Sequence, residues 1–527
     1  MKIIKNPYLE EIKINLPRIL SLFDSDISSE TYGLGDRYHW AWGLIDFGNA
    51  TFQGVVNGMA YLWDGNLWPY KSKKEVFLNR IYAIVCATDT LIRKDGSLEE
   101  AFPNEGSYCV TALVAFDLLC SYELLGKYFE PIQKRNWLKI VSKLIYYLKN
   151  YDEEHAFISN HLATAIAALT RWNLYTNDHN AKLKAHTLLN KIFKNQSSEG
   201  WYLEYDGFDA GYQSICTYYL SDVYKITQNK ILKNSLNKSI KFIVNFAHPD
   251  GSFGGIYGSR NTRFYSPAGF KFLSSFSSKA EQLAIFMENS ISKKKVITLS
   301  SIDEPNLIPM FNSYCWSAAI FRKYNSRKIR SLEYNSKSKL LDNKKSFYFK
   351  KSGILVDKGS NHLTIISTHK GGVIYHFIDK KLKDLNTGIL VKNQKGKFGS
   401  TQGYSQNNKV TFKDNKIEIK SKITTVTKKR ASPYSFIILR VLSVTLFKFR
   451  IIREFVKKIL VKLLITRKDD WGIENIREIT LGEKIVVKDS FYSQSKYTII
   501  KNPKDFIHIH MASKGYWQIH DETGLSQ

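Results

Sequence analysis

Near residue 340 the spacing of apolar residues changes from a helical period to a period of two, so one layer type cannot hold the whole chain. From about residue 10 to 325, apolar side chains recur at i, i+3, i+4 and i+7, clearly so over 110–119, 137–148 and 162–169. From about 340 onward short alternating runs take over at 346–350, 353–357, 363–367, 373–377, 416–423 and 484–488, broken by Gly, Asn and Asp-Lys. A chain of 527 residues also exceeds what a single core fills. These patterns predict a helical domain over 1–325, a polar linker over 326–345 and a β domain over 346–527.

Within the helical part, polar loops recur at Asp95-Gly96-Ser97, Ser159-Asn160-His161, Glu199-Gly200-Trp201 and Asp250-Gly251-Ser252. Their spacing of roughly fifty residues is the length of a helical hairpin with its loops, the mark of a ring or array of helix pairs. An incomplete (α/α) toroid fits, with inner helices that start at one face; an irregular helical domain with glycine in its turns is the alternative. The alternating runs predict an antiparallel β-sandwich. The expected fold class is therefore multidomain, α then β: an (α/α) toroid followed by an antiparallel β-sandwich.

One segment breaks the β pattern. Residues 433–468 are apolar and basic, with nine Lys or Arg against the single acid Glu454. Ile452, Phe455, Val456, Ile459, Leu460, Leu463 and Leu464 follow helical spacing, with Arg453, Lys457, Lys458 and Lys462 between them. Arg440, Lys448 and Arg450 make the preceding run a poor membrane span. A basic amphipathic helix of this kind predicts an anchor lying in an anionic membrane surface, or else an insertion whose apolar stripe docks on the protein itself.

Lys and Arg outnumber Asp and Glu by 77 to 48, a formal net charge of +29. That excess suits polyanionic partners, although a genome poor in G and C raises Lys, Asn and Ile without any partner. The charge is diffuse and no helix-turn-helix, RRM or zinc pattern accompanies it, so no nucleic-acid partner is expected. The five cysteines lie mostly in apolar helical patterns with no CxxC or Cys/His spacing, which predicts buried thiols in a reducing compartment and calls for no metal and no cofactor. The first residues carry no apolar stretch of signal-peptide length, so a cytoplasmic place is expected, peripheral at the inner face of the cell membrane if 433–468 binds lipid.

The richest chemistry lies in 199–213. It holds Trp201, Tyr202, Glu204, Tyr205, Asp206, Asp209 and Tyr212 in one glycine-punctuated loop, followed by a helix. So many rings and acids are poor core material and good material for a groove that stacks sugars and moves protons. Asn160-His161 opens the helix over 162–172, where the helix dipole favours a neutral imidazole able to act as a base or polarising donor. A purely structural histidine is the alternative. Tyr212 can shuttle a proton if Arg260 or Arg263 supplies a cation, or it can simply cap packing. Glu204, Asp206 and Asp209 can instead pair for glycosidic hydrolysis. Glu99, Glu100 and Glu105 form another acidic loop for the same face, as hydroxyl ligands or caps. Arg37, His39 and Trp40 offer a further substrate platform, or a seal for the ring.

Ser159-Asn160-His161 before an alanine-rich helix, the 204–212 loop opening the next helix, and Ile354-Leu355-Val356-Asp357 with the later strands together resemble the heparinase II/III-like group. That resemblance implies a polysaccharide lyase acting on an acidic, uronate-containing polysaccharide by β-elimination. It implies an Asn that neutralises the uronate carboxylate and a His and a Tyr in proton transfer, which here fall on Asn160, His161 and Tyr212. The chain departs from the group at Thr368-His369-Lys370-Gly371-Gly372, where a His-Gly-His-type segment is usual. With the basic insertion, this points to work on a cell-surface or lipid-linked glycan. A glycoside hydrolase, a uronate C5-epimerase and a non-catalytic polysaccharide-binding or assembly protein are the competing expectations.

Overall fold

The computed structural model describes residues 5–43, 45–328, 345–426, 432–462, 469–493, 496–500 and 506–508. Among them, six helices form an inner ring: Val55–Asp64, Tyr108–Leu125, Ser159–Thr176, Ala210–Thr227, Ala268–Leu273 and Glu304–Lys328. Each packs on the next and the last packs back on the first, so the toroid is closed rather than incomplete. Outer helices Lys74–Leu91, Pro131–Asn150, His179–Asn195, Lys230–Ile243, Ser278–Ser292 and Pro7–Leu20 each cover one inner partner.

The sequence distinguishes the two layers. In Tyr108–Leu125 every residue from 110 to 121 is buried, because an inner helix has no solvent side. This helix, extended to Tyr128, is long and apolar enough to cross a bilayer, yet 78% of its apolar window lies inside the ring. Lys230–Ile243, by contrast, buries only the stripe carried by Leu232, Leu236, Ile240 and Ile243 with their neighbours. Polar ties lock the ring. Asn312 accepts from the Gly58 amide (2.9 Å) and donates to the Gly54 carbonyl (2.9 Å), which joins the last inner helix to the first. Arg171 makes a bidentate pair with Asp222 (2.8 and 2.5 Å) and also reaches Glu123, linking three consecutive inner helices.

The glycine loops are repeats of one turn. Asp95 Oδ1 accepts from the Ser97 amide and hydroxyl (3.1 and 2.6 Å), and Asp250 Oδ1 does the same with Ser252 (2.9 and 2.7 Å). Gly96 (φ +86°) and Gly200 (φ +108°) bring the chain against the carbonyls of Lys143 and Lys238 on outer helices, where a Cβ would collide. These turns precede the inner helices. Ser159-Asn160-His161 does not belong to the series, because it is itself the first turn of an inner helix.

The β domain is two antiparallel sheets. Strands Lys345–Phe349, Ile354–Lys358, His362–Ser367, Val373–Ile378 and Lys381–Asn386 form a five-stranded meander in sequence order. The second sheet is built around Lys416–Thr425 and Asp470–Thr480. Leu355, Ile366 and Ile374 of the first sheet meet Ile417, Ile419 and Ile479 of the second, which makes the sandwich core. The opposite face of the first sheet (Val356, Ile365, Tyr375, Phe377) joins the helical core. Both faces of that sheet are covered, so the two domains share one continuous interior. Of the expected linker 326–345, residues 326–328 extend the last inner helix and Lys345 begins a strand; 329–344 lie outside the described residues, as do 509–527 of the expected β domain.

The 433–468 insertion is helical, as Pro433–Thr445 and Arg450–Val461, with 463–468 outside the described residues. It docks on the protein by the opposite face from the one expected. Arg453, 1% exposed, reaches Asp95 (3.1 Å), Lys457 donates to the Gly106 carbonyl (3.1 Å) and Arg450 pairs with Glu154 (3.0 Å). Phe447 is buried beside Phe102. One bond each from Arg450, Arg453 and Lys457 goes to a carbonyl or an acid of the toroid mouth, which an apolar stripe could not bond. The five cysteines are free thiols, three of them buried.

Candidate functional site

The loops before successive inner helices converge through short backbone ties. Ile158 and Glu204 form a β-bridge, and the Ser159 amide and hydroxyl both donate to the Leu203 carbonyl (3.1 and 2.7 Å). Asp209 caps the helix Ala210–Thr227 by accepting from the amides of Gly211 and Tyr212 (3.0 and 3.1 Å), while its second oxygen accepts from the Arg260 and Thr262 amides (3.2 Å each). Asn160, Glu204, Tyr212 and Arg260 are thereby set side by side.

Glu204 sits at the bottom, with no exposed surface. Its oxygens accept from the Asn160 backbone amide (3.0 Å) and side-chain amide (2.8 Å), and Arg260 Nη1 lies 3.7 Å away. Burial pushes the carboxyl up to about 7, against the pull of Arg260, Asn160 and His161. A folded-state value above the ordinary 4.5 stabilises the protein at acid pH, and that stabilisation drains away as pH rises from 4.5 to about 7. The total is about 3 kcal/mol at 1.36 kcal/mol per unit. Denaturant titrations at pH 5 and pH 8 should show wild type losing about that much relative to Glu204→Gln, which cannot titrate. A pH-independent difference between the two would mean that Glu204 stays ionised throughout.

Arg260 covers this carboxyl. Its loop is pinned from the sandwich by Lys370, buried, whose ammonium donates to the carbonyls of Ile256 (2.6 Å) and Gly258 (3.1 Å) and to Asn261. The guanidinium donates to the Tyr212 hydroxyl (3.1 Å) and lies over two rings, 3.8 Å from that of Tyr212 and 4.8 Å from that of Tyr205. Burial opposes its charge, but Tyr212, Tyr205, Glu204 and Asp209 together more than offset that, so Arg260 stays cationic. Its Nε and Nη1 are buried without a hydrogen-bond acceptor. Nη1 faces the Glu204 carboxylate as an ion pair, and the residue as a whole is 9% exposed.

His161 differs from its expected neutral state. Its Nδ1 is 2.7 Å from Glu153, a carboxylate with 2% side-chain exposure. Burial opposes the imidazolium, but Cys109 and Glu153, both hydrogen-bonded to the ring, hold it well above the usual histidine range. Glu153 itself is held below its ordinary value despite burial, with His161 the leading cause. The helix dipole is outweighed by a full charge in contact. His161 is therefore a proton donor or a cation near neutrality, not a base.

Several expected ligands serve structure instead. Trp201, 6% exposed, donates its indole N–H to Glu199 (3.0 Å), and Glu199 accepts from the Lys351 and Ser352 amides, which ties the toroid to the sandwich. Asp209 is spent as the helix cap, and Glu105 Oε2 accepts from the Glu100 and Ala101 amides (3.1 and 2.7 Å). The hydrogen bonds of these three side chains go to the protein itself. Tyr205 is half-buried at the rim, held at φ +57°, and Asp206 is exposed beside it. Arg263, half-buried, exerts its charge on His248 and Tyr257, and Arg260 is a cation at Tyr212. The bonds of the Arg37–Trp40 turn run to Leu22, Ile45 and Glu304: Trp40 donates to Leu22 (2.8 Å), His39 meets Ile45 (2.8 Å), and Tyr38 donates to Glu304. Arg37 lies over Trp40. The platform reading of these residues gains no contact with the cluster.

Glu153 and Lys370 escaped the sequence reading. Glu153 had a visible signal in the acidic run Asp152-Glu153-Glu154 just before the helix that carries His161. Lys370 had none, since it reaches Asn261 across more than a hundred residues. His369 meets Tyr404 at 3.2 Å, and burial pushes its ring down to about 4, so it is neutral.

No family model matches the sequence, and no curated protein matches it. Among solved structures, the fold is similar to a cellobiose 2-epimerase from Bacillus thermoamylovorans (13% identity, 60% of this chain and 100% of that one, TM-score 0.44). It is similar also to the Streptomyces coelicolor chondroitin AC lyase (8% identity, 80% and 67% covered, TM-score 0.49) and to a Paenibacillus xanthan lyase (10% identity, 79% and 44% covered, TM-score 0.45). By its own helix order and sheet topology, the chain is an (α/α) toroid joined to an antiparallel β-sandwich.

Proposed function

We propose that the protein is a polysaccharide-active enzyme, a heparinase II/III-like lyase that cleaves a uronate-containing polymer by β-elimination. The observation that carries this reading is the Arg260–Tyr212 contact, in which a largely buried guanidinium donates to the phenol oxygen (3.1 Å) and lies over its ring. The uronate carboxylate pairs with the Arg260 cation, which stabilises the charge that grows as the proton leaves C5. Tyr212, as the phenolate favoured by the adjacent cation, takes the C5 proton. The electron pair forms the C4–C5 double bond, the C4–O bond breaks, and the His161 imidazolium protonates the departing oxygen. Asn160 acts here as a positioning residue, since its amide is given to Glu204. Neutralisation of the carboxylate thus moves from Asn160 to Arg260.

The test is a panel of soluble polymers containing glucuronate, iduronate, galacturonate or mannuronate, with ultraviolet absorbance of the unsaturated uronate as readout. Absorbance growth on at least one polymer is expected; silence across the panel rejects the lyase reading. Glu204, poised near 7, favours a second reading as the acid of a glycoside hydrolase. That reaction would release reducing ends without the chromophore and would fail in Glu204→Gln.

A further inference from the structure

The insertion over the toroid mouth exposes the side that an amphipathic helix ordinarily hides. In Arg450–Val461 the residues turned into the protein are Arg453, Glu454 and Lys457. On the opposite side Ile451 is 87% and Phe455 62% exposed. The preceding helix adds Phe436, Ile437 and Val441, each more than half exposed, and Phe449 in the connection continues the surface. Apolar side chains so exposed and so contiguous mark an interaction face.

The charges around it select the partner. Lys448, Lys458 and Lys462 are exposed among these apolar residues, and Glu454, the only acid in the described part of the insertion, is buried. The two exposed acids that touch the insertion are already paired, Asp46 with Arg440 (3.0 Å) and Glu154 with Arg450 and Lys458 (3.0 and 3.7 Å). A second copy seated face to face would bring lysines against lysines. An anionic bilayer accepts both features, with apolar side chains in the interface and lysine heads at the phosphates.

We propose that the helix pair Pro433–Thr445 and Arg450–Val461 is a membrane-docking surface for anionic phospholipid. The helix Arg450–Val461 then lies between the bilayer and the toroid, its apolar side in the lipid interface and its Arg453–Lys457 side on the mouth loops. The site therefore opens within about one helix diameter, roughly 10 Å, of the headgroups. Resting on the lyase reading above, this geometry assigns a glycan held at the membrane, such as one on a lipid carrier, as the substrate class.

The experiment is flotation of the full chain with vesicles of phosphatidylcholine alone and of phosphatidylcholine doped with phosphatidylglycerol. Flotation is expected with the doped vesicles, weakened by salt. Ile451→Glu with Phe455→Glu should lower partitioning about tenfold or more, since two exposed apolar groups lose their place in lipid. Both positions are exposed, so an unchanged circular dichroism spectrum is expected and rules out misfolding. The doubly substituted protein should still turn over soluble uronate polymer, which separates docking from the reaction. No flotation with doped vesicles at low salt, or a dimer seen by light scattering that these two substitutions dissolve, overturns the proposal.

Discussion

Tyr212→Phe is expected to lower turnover of the uronate polymer by roughly 10²–10⁴-fold while changing KM little, the range for losing one positioned proton-transfer group. The substitution removes a single oxygen and keeps the ring on which Arg260 rests, 3.8 Å away, so the fold and the guanidinium's cation–π contact persist. Arg260→Lys supplies the complementary result. It keeps a charge near the phenol but loses the planar fork, so it should raise KM for uronate polymers as well as lower kcat. Turnover of Tyr212→Phe within a few-fold of wild type would remove the phenol from the reaction. The hydrolase reading would then rest on Glu204.

Arg171→Ala should destabilise the protein by about 3–5 kcal/mol in denaturant unfolding, the usual cost of leaving a buried partner uncompensated. Arg171 has no exposed surface and Asp222 is 1% exposed, so no water replaces the lost guanidinium. The pair also joins the inner helices Tyr108–Leu125, Ser159–Thr176 and Ala210–Thr227 through Glu123 and Asp222. Replacing both partners, as Arg171→Met with Asp222→Leu, should recover most of the loss, because the core then holds apolar groups instead of a lone charge. A loss below about 1 kcal/mol for Arg171→Ala would show that the vacated site takes up water or repacks at little cost.

The candidate site was legible in part, and the boundary falls where local chemistry ends. Arg260 as the cation beside Tyr212 was one of two expected arginines, whereas Asp209, expected as an acid, caps the helix that begins at Ala210. The charge state of His161 was not legible, because the dipole argument omits Glu153, whose contact with the ring exists only once the 151–158 loop folds back. Trp201 read as a stacking platform, yet its ring is buried and its indole N–H goes to Glu199, which grips the sandwich. An aromatic residue looks the same in sequence whether another domain covers it or not.

The sequence by itself determined the layers: a period near 3.6 places the apolar stripes of the ring helices, and a period of two places alternate strand residues on opposite faces. It also marked 433–468 as an apolar, basic segment with a two-sided helix in its second half. Only the tertiary structure decided which side faces inward, that the ring closes through Asn312, and that Asn160, Glu204, Arg260 and Tyr212 meet. The physical reason is that periodicity fixes the angle between residues of one element. The partner of each face is chosen by charges and hydrogen-bonding groups brought near from distant parts of the chain.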